Sequence, residues 1–442
     1  MRRRRVLLVS YHFPPVGGAG VQRAAKFAKY LPEYGWDVSV LQAANPSVPL
    51  LDESLLADLP ADLVTVKART LEPGYAAKSR ATGGAAGKPS WPKHLIRQAA
   101  SMVLQPDAQV LWLPAARRAG LELLTRQPHD AILATAPTYT NLVLGAMLAR
   151  RTGLPLVLDY RDEWDISSAY WENAPRDPIS PRVQQWMQRR VLRASRAIVA
   201  TTAASTARIA ARAADAGVRP VARCIYNGWD PSDLHEVAGI EPAVPVDPTR
   251  HRIVYAGTLW NLTSIAPVIQ ALLELTAEAP HLAERLELVV LGRKTAEQEQ
   301  QLSRLASTSI TVHTPAYVPH SVALATMRSA DTLLLLLSDV PGAERVAPAK
   351  LFEYLAMGQP MLAVTPDGET AELVRGAQPD AWRSPRDILG ITAWFRARLD
   401  PQHGGGEATR TSPEYAQGFT RRALAGQMAE LLDAVRVEER TQ

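Results

Sequence analysis

Twice along this chain, short apolar runs alternate with stretches whose apolar residues recur every third or fourth position, and a proline-rich break separates the two series. The first series places strands at 5–10, 37–42, 63–67, 131–135, 156–159, 197–201 and 223–226. After the first of these, Val21, Ala24, Ala28 and Leu31 mark a helix. The second series reads HRIVYAG (251–257), LELVVLG (286–292), ITVHTPAY (310–317), DTLLLLLS (331–338) and MLAVTP (361–366). Runs apolar at every position are strands buried on both faces, and alternation with helices covers a parallel sheet in that way. The break at 236–249, rich in proline and valine, reads as a linker. The expectation is an α/β protein of two tandem doubly wound, Rossmann-like domains: 1–235, the linker 236–249, and 250–405. Residues 71–98 interrupt the pattern with Pro, Gly, Ala and Lys and read as an insertion. One long helical pattern covers 414–435, within a closing segment 406–442. Ligands of such sheets bind beyond the carboxyl ends of the strands, so two domains facing each other would enclose a cleft.

Charge and cysteine content narrow the class. The chain has 49 basic residues, eight of them lysine, and a net charge of +5. Arginine's planar fork suits phosphate, although a GC-rich genome gives the same bias. Cys224 is the one cysteine, so no disulfide framework exists within the chain and a reducing compartment is expected. No apolar run approaches the ~20 residues of a membrane helix. Arg2 to Arg5 look like the start of a signal peptide, but the apolar stretch behind them is too short. A cytoplasmic protein is expected, with peripheral contact at the inner face of the membrane left open.

The loop YHFPPVGGAGVQR (11–23) follows the first strand and opens a helix. A dinucleotide fingerprint needs G-x-G-x-x-G and an acid closing the next strand. Here the third glycine is missing, and that strand ends in Leu41-Gln42. Gly17 and Gly18 still bare the backbone at a helix start, where N–H groups suit a phosphate or a sugar hydroxyl. A tight turn with nothing bound is the competing reading.

APAKLFEYLAMGQPMLAV (347–364) says more. A helix over 349–357 puts Lys350 and Glu353 three apart, on one face. Lys350 would meet a diphosphate, and Glu353, an acceptor-only carboxylate, would hold two ribose hydroxyls. A plain surface Lys–Glu pair fits the same spacing. The stretch P-x-K-x-x-E-Y-x-A-x-G-x-P is similar to the nucleotide-sugar motif of glycosyltransferase family 4, retaining enzymes of the GT-B fold. SYHFPPVGGAGVQR, ATAPTYTNLVLG (134–145), LVLDYRDEWD (156–165), IYNGWDPSDL (225–234), VYAGTLW (254–260) and LVVLGR (288–293) resemble further segments of that family in the same order.

The resemblance implies a donor site in the second domain built from Gly257, Thr258, Arg293, Lys350 and Glu353, with Gly17 and Gly18 facing it. It implies an acceptor site in the first domain, and a last helix packed back on that domain. The chain departs from the family where Arg345, rather than Glu, stands eight residues before Glu353. It departs again where Thr258 and Leu259 follow the VYAG strand in place of an Arg and Lys pair, and where Asn141 replaces a frequent His.

Asp159, Arg161, Asp162 and Trp164 gather at the end of a buried-type strand. Arg161 would meet the donor phosphate or an anionic acceptor, Asp162 an acceptor hydroxyl, and both are catalytic candidates beside Lys350. An internal Arg–Asp pair orienting the loop is the alternative. His12, Asn141 and Trp164 are the acceptor-binding candidates, and His320 a candidate near the nucleobase. No Asp-x-Asp occurs, and no His or Cys cluster has metal-ligand spacing. No metal and no cofactor is therefore expected, with Lys, Arg and helix N-termini supplying the positive field.

Residues 88–105 interleave Lys88, Trp91, Lys93 and Arg97 with apolar positions, and 182–193 group four arginines around Trp186 and Met187. Such surfaces suit anionic headgroups or simply water. No nucleic-acid motif accompanies them. The function expected is retaining, metal-independent transfer of a sugar from a nucleotide diphosphate sugar to a hydroxyl acceptor: a lipid-linked saccharide, a polysaccharide or a small natural product. A nucleotide-sugar 2-epimerase of the same fold and a non-catalytic sugar-nucleotide-binding subunit are the alternatives. Product formed without any acceptor marks the epimerase, and purified protein that neither transfers nor hydrolyses donor marks the subunit.

Overall fold

The computed structural model describes residues 3–48, 51–75, 102–165, 177, 179–235, 237, 239–315, 318–400 and 409–436. The insertion at 71–98 beyond Tyr75 and positions 88–101 of the basic stretch at 88–105 lie outside these residues, as do positions 236 and 238 of the expected linker. The chain forms two compact units, one of 1–226 with 421–442 and one of 227–420.

Among the described residues the first unit holds a seven-stranded sheet: β1 (Arg4–Val9), β2 (Trp36–Ala43), β3 (Val64–Ala68), β4 (Ala131–Ala136), β5 (Leu156–Tyr160), β6 (Ala197–Ala200) and β7 (Val221–Cys224). Their order is β3-β2-β1-β4-β5-β6-β7, and every pairing is parallel. Successive side chains of a strand point to opposite faces, and each face here is covered. Leu7, Val9, Ile132 and Ala134 share a core with the helices Leu113–Arg126, Tyr139–Thr152, Ser180–Leu192 and Ala203–Asp215. Val6, Leu8, Leu133 and Val157 share another with Ala19–Tyr30 and Arg421–Val435. That is why these strands are apolar at every position. The strand order reverses between β1 and β4, so the crevice of this sheet opens beyond Val9 and Ala136.

The second unit repeats the plan with β8 (His251–Ala256), β9 (Leu286–Leu291), β10 (Thr311–His313), β11 (Thr332–Leu336), β12 (Met361–Val364) and β13 (Trp382–Arg383). The order β10-β9-β8-β11-β12-β13 reverses between β8 and β11. Ile253, Tyr255, Leu288, Val290, Leu334 and Leu336 form its main core with the helices Ala266–Glu278 and Ile388–Leu399.

Three expectations need correction. β13 is a two-residue strand that the pattern missed, and β10 stops at His313. The long closing helix is two, Pro413–Gln417 and Arg421–Val435. Between them the backbone turns to bond elsewhere: Phe419 O accepts from Trp229 N at 3.1 Å, and the Trp229 indole N–H donates to Ala416 O at 2.8 Å. Among the described residues no helix is long and apolar enough to cross a membrane.

Candidate functional site

In the second unit the site is built on the helix Ala349–Met357, which starts after Pro348 and ends at Gly358 in the left-handed region, φ 70°. Leu351, Phe352, Tyr354 and Leu355 are buried, which leaves Lys350, Glu353 and Met357 half-exposed together with Ala349 and Ala356. Tyr354 anchors this helix at the switch point. β8 and β11 pair only through Ile253 and Val254, so backbone groups further along need other partners. The Tyr354 hydroxyl accepts from Ala256 N at 3.2 Å and donates to Leu334 O at 3.4 Å. Burial pushes its pKa far above the ordinary tyrosine value.

With the helix fixed, Lys350 reaches back over the end of β8. Its Nζ donates to the Tyr255 hydroxyl at 2.9 Å and lies 4.1 Å from the centre of that ring. Gly257 permits this approach. Its φ is 141°, and a Cβ there would stand 2.3 Å from Lys350 Nζ. Gly292, at the end of β9, is as tightly placed, since a Cβ would lie 2.6 Å from Gly257 O. The turn after Gly257 is held by Thr258 O, which accepts from Tyr255 Oη at 2.9 Å and from Thr263 Oγ1 at 2.7 Å.

Glu353 lies one helical turn beyond Lys350, with its side chain 28% exposed and an oxygen 4.0 Å from His320 Nε2. The structure thus brings Lys350, Gly257 and Thr258 together, with Tyr255 joining them, and sets Glu353 and His320 side by side. Arg293 is exposed, and its carbonyl accepts from Leu259 N at 2.8 Å. The next residue, Lys294, curls back instead, with Nζ donating to Gly292 O at 2.7 Å. Burial holds the pKa of Lys294 below its ordinary value. Tyr255, Thr263 and Lys294 were missed by sequence reasoning, because a strand's alternate tyrosine and a second lysine carry no spacing signal of their own.

In the first unit Gly18 opens the helix Ala19–Tyr30 at φ 99°, with open space where a Cβ would stand. Gly17 beside it is half-exposed. Arg161 forms the internal pair weighed against direct contact. Its Nη2 is 3.0 Å from Asp162 Oδ2, and its Nη1 donates to Gly20 O at 2.7 Å. The pair braces the glycine loop. His12 is half-buried, its ring edge-on to Tyr11 at 4.8 Å, and its carbonyl accepts from Ser10 Oγ at 2.8 Å.

Two acceptor-binding expectations do not suit the structure. Asn141 is 1% exposed; its amide oxygen accepts from Tyr11 N at 3.1 Å, and its amide nitrogen donates to Thr135 O at 2.8 Å. Trp164 is 2% exposed, stacked on Tyr139 at 4.6 Å and donating to Gln184. Both are interior braces between the ends of strands and their neighbours. The end of β5 also holds a buried pair that the sequence reading did not make. Arg23 binds Asp159 at 2.8 Å, and its guanidinium donates to the carbonyls of Ile225 and Tyr226, while Thr135 Oγ1 donates to Asp159. Elsewhere in this unit the helix Ser180–Leu192 exposes Trp186, with the Arg190 guanidinium 4.8 Å over its ring.

Comparison with known proteins accords with this geometry. Residues 17–228 match the family model described as a glycosyl transferase 4-like domain. That match over the first half of the chain, and a fold shared along its whole length with solved GT-B structures, accord with the resemblance to family 4 read from the motifs. Solved structures similar over the whole chain include Anabaena HepE in complex with UDP and glucose, at 18% identity and TM-score 0.57, covering 98% of this chain and 100% of that one. An α,α-trehalose-phosphate synthase (UDP-forming) from Burkholderia vietnamiensis is similar at 14% identity and TM-score 0.64, covering 98% and 100%. The N-terminal domain of Candida albicans trehalose-6-phosphate phosphatase is similar at 11% identity and TM-score 0.65, covering 99% and 98%. No curated protein matches the chain.

Proposed function

We propose that the protein transfers a hexose from a nucleotide diphosphate sugar to a hydroxyl acceptor, with retention of anomeric configuration and without a divalent metal or other cofactor. The observation that carries this reading is the Lys350 ammonium held over the side-chain-free Gly257, one helical turn from the half-buried Glu353 carboxylate. An ammonium has three N–H donors, and among the described residues Lys350 uses one, on Tyr255. The others suit the diphosphate, and Glu353 suits the paired hydroxyls of a ribose. A UDP-sugar is the donor to try first, since HepE is named in complex with UDP-glucose and the trehalose-phosphate synthases as UDP-forming.

In the step we assign, the acceptor oxygen bonds to the anomeric carbon on the face from which the phosphate departs. The carbon–phosphate oxygen bond breaks, and that phosphate oxygen takes the acceptor's proton. Negative charge grows on the diphosphate as the bond opens, and Lys350 is the group that meets it. Arg161 and Asp162 serve this reading by holding the glycine loop at Gly20. A lipid-linked acceptor would bring the protein to an anionic membrane, and exposed Trp186 beside Arg189 and Arg190 supports such contact.

A thermal-shift screen of UDP-, GDP- and dTDP-sugars identifies the donor, because a bound ligand raises stability by mass action. With that donor, Glu353→Ala is expected to weaken binding about 10- to 100-fold, the loss of charged hydrogen bonds to two hydroxyls. Lys350→Ala is expected to lower kcat by about 100-fold, as for loss of a donor facing developing charge. Isothermal titration and steady-state kinetics measure both, and unchanged constants in both variants would refute the site. Chelator should leave the rate as it was.

A further inference from the structure

The geometry points to Tyr255 as the residue that positions Lys350 for the diphosphate, an inference that rests on the reading of Lys350 given above. The tyrosine's single hydroxyl hydrogen is committed to Thr258 O at 2.9 Å, so an oxygen lone pair is left to face the ammonium, 2.9 Å away. Thr258 O is itself fixed from a second side by Thr263 Oγ1 at 2.7 Å. Beneath the ammonium, the Tyr255 ring presents its negative face at 4.1 Å. The ring cannot turn away, because Tyr255 is fully buried in the core of the second unit. On the remaining side the missing Cβ of Gly257 leaves the space that Nζ occupies.

A lysine stem has four rotatable bonds and much rotamer freedom. A free Lys350 would lose that freedom on meeting a phosphate, and a Lys350 seated on Tyr255 has lost it on folding. Preorganisation of this kind raises affinity without adding a contact to the ligand. Tyr255 is thus a positioning residue: it touches Lys350 and the Gly257 turn, and acts on the diphosphate through the lysine alone. Its place on a strand also fits the task, since sites carried by strands hold geometry better than sites on loops.

The test is a double-mutant cycle read by isothermal titration. UDP, GDP, ADP and dTDP are screened on the full chain, and the tightest is titrated into the wild type, Tyr255→Phe, Lys350→Ala and the double variant. The matching nucleoside, which has no phosphates, is titrated in parallel. Phenylalanine keeps the ring and its packing, and thermal melts check that each variant is folded. Tyr255→Phe is expected to weaken the diphosphate about 10-fold in the wild-type background, in keeping with a hydrogen bond to a charged group, and less than about 2-fold once Lys350 is alanine. Nucleoside affinity should not move in any variant. Equal losses from Tyr255→Phe in both backgrounds, or no loss in the wild type while Lys350→Ala weakens binding, would overturn the inference. If Lys350→Ala leaves diphosphate affinity unchanged, or no diphosphate binds, the reading of the site itself has failed, and this inference with it.

Discussion

A carboxylate at the end of a strand buried on both faces must have its charge met nearby, and Asp159 has Arg23 for that purpose, with both side chains almost fully buried. Removing one member of such a pair strands the other, which is why the pair reads as a brace for the glycine-loop helix rather than as a surface contact. The sequence carried part of this signal, an acid closing the buried-type strand LVLDY. Yet nothing in it named Arg23 as the partner, because helix and strand meet only in the folded state. Asp107 is a second acid drawn into the fold, half-buried beside the start of a helix. Its carboxylate accepts from Thr140 N at 3.1 Å and Thr140 Oγ1 at 2.6 Å, capping the helix Tyr139–Thr152 from outside. Burial outweighs those bonds and pushes its pKa up to about 6 from 3.8. A raised folded pKa means that the favourable contribution is complete below the unfolded value and lost as pH rises through the folded one. Asp107→Asn, neutral at every pH, should therefore be more stable than wild type at pH 7.5, by on the order of 2 kcal/mol for a shift of this size. At pH 3.5 the two should be alike. Urea melts at both pH values check this, and a variant less stable than wild type at pH 7.5 would show that the cap outweighs desolvation.

At the scale of elements, most strands were legible because burial on both faces forces an unbroken apolar run, and the helix over 349–357 was legible because Pro348 and Gly358 bracket it. What failed to show had tertiary causes. β13 is too short to make a run, and the closing helical pattern continues through 418–420, where hydrogen bonds to Trp229 break the helix. The candidate site divides in the same way. Lys350 and Glu353 were visible from spacing on one helix, whereas Tyr255 is 95 residues away and visible only in space. Asn141 and Trp164 were misread because polar and aromatic residues near strand ends serve as braces as readily as ligand contacts. The switch point makes one demand of its elements: β8 and β11 part after two paired residues, and Tyr354 fills the gap between them. Tyr354→Phe would leave Ala256 N–H and Leu334 O without that partner. The expected cost is about 1–2 kcal/mol, the usual penalty for a buried group left unsatisfied. The helix carrying Lys350 and Glu353 should loosen with it. A shift in the urea midpoint with unchanged slope would measure the loss, and an unshifted midpoint would mean that water replaces the hydroxyl.

Over the whole molecule, the chain completes its first unit only with its last helix. Leu424, Met428, Leu431 and Leu432 of Arg421–Val435 are buried in the same core as Val6, Phe27 and Trp36. Trp36 Nε1 donates to Asp433 at 3.0 Å, and Arg422 pairs with Glu33 at 3.0 Å. Burying an apolar side chain of this size contributes about 1.5–3 kcal/mol, so four of them approach the 5–15 kcal/mol by which a typical domain is stable. The second unit is different: residues 227–420 are continuous, and among the described residues its sheet and main core draw on none outside them. The two units should therefore part company when the chain is cut. Residues 227–420 expressed alone are expected to melt cooperatively and to keep the thermal shift with the nucleoside diphosphate that the full chain binds, since Lys350, Tyr255, Gly257 and Glu353 all lie within them. Residues 1–226 alone should lack a cooperative transition, and adding a peptide of residues 421–442 should restore one, because it returns the four apolar side chains to their core. Circular dichroism melts of the three samples decide the matter. A cooperative melt of 1–226 without the peptide would mean that the sheet and its other helices suffice, and that the returning helix contributes far less than its burial implies.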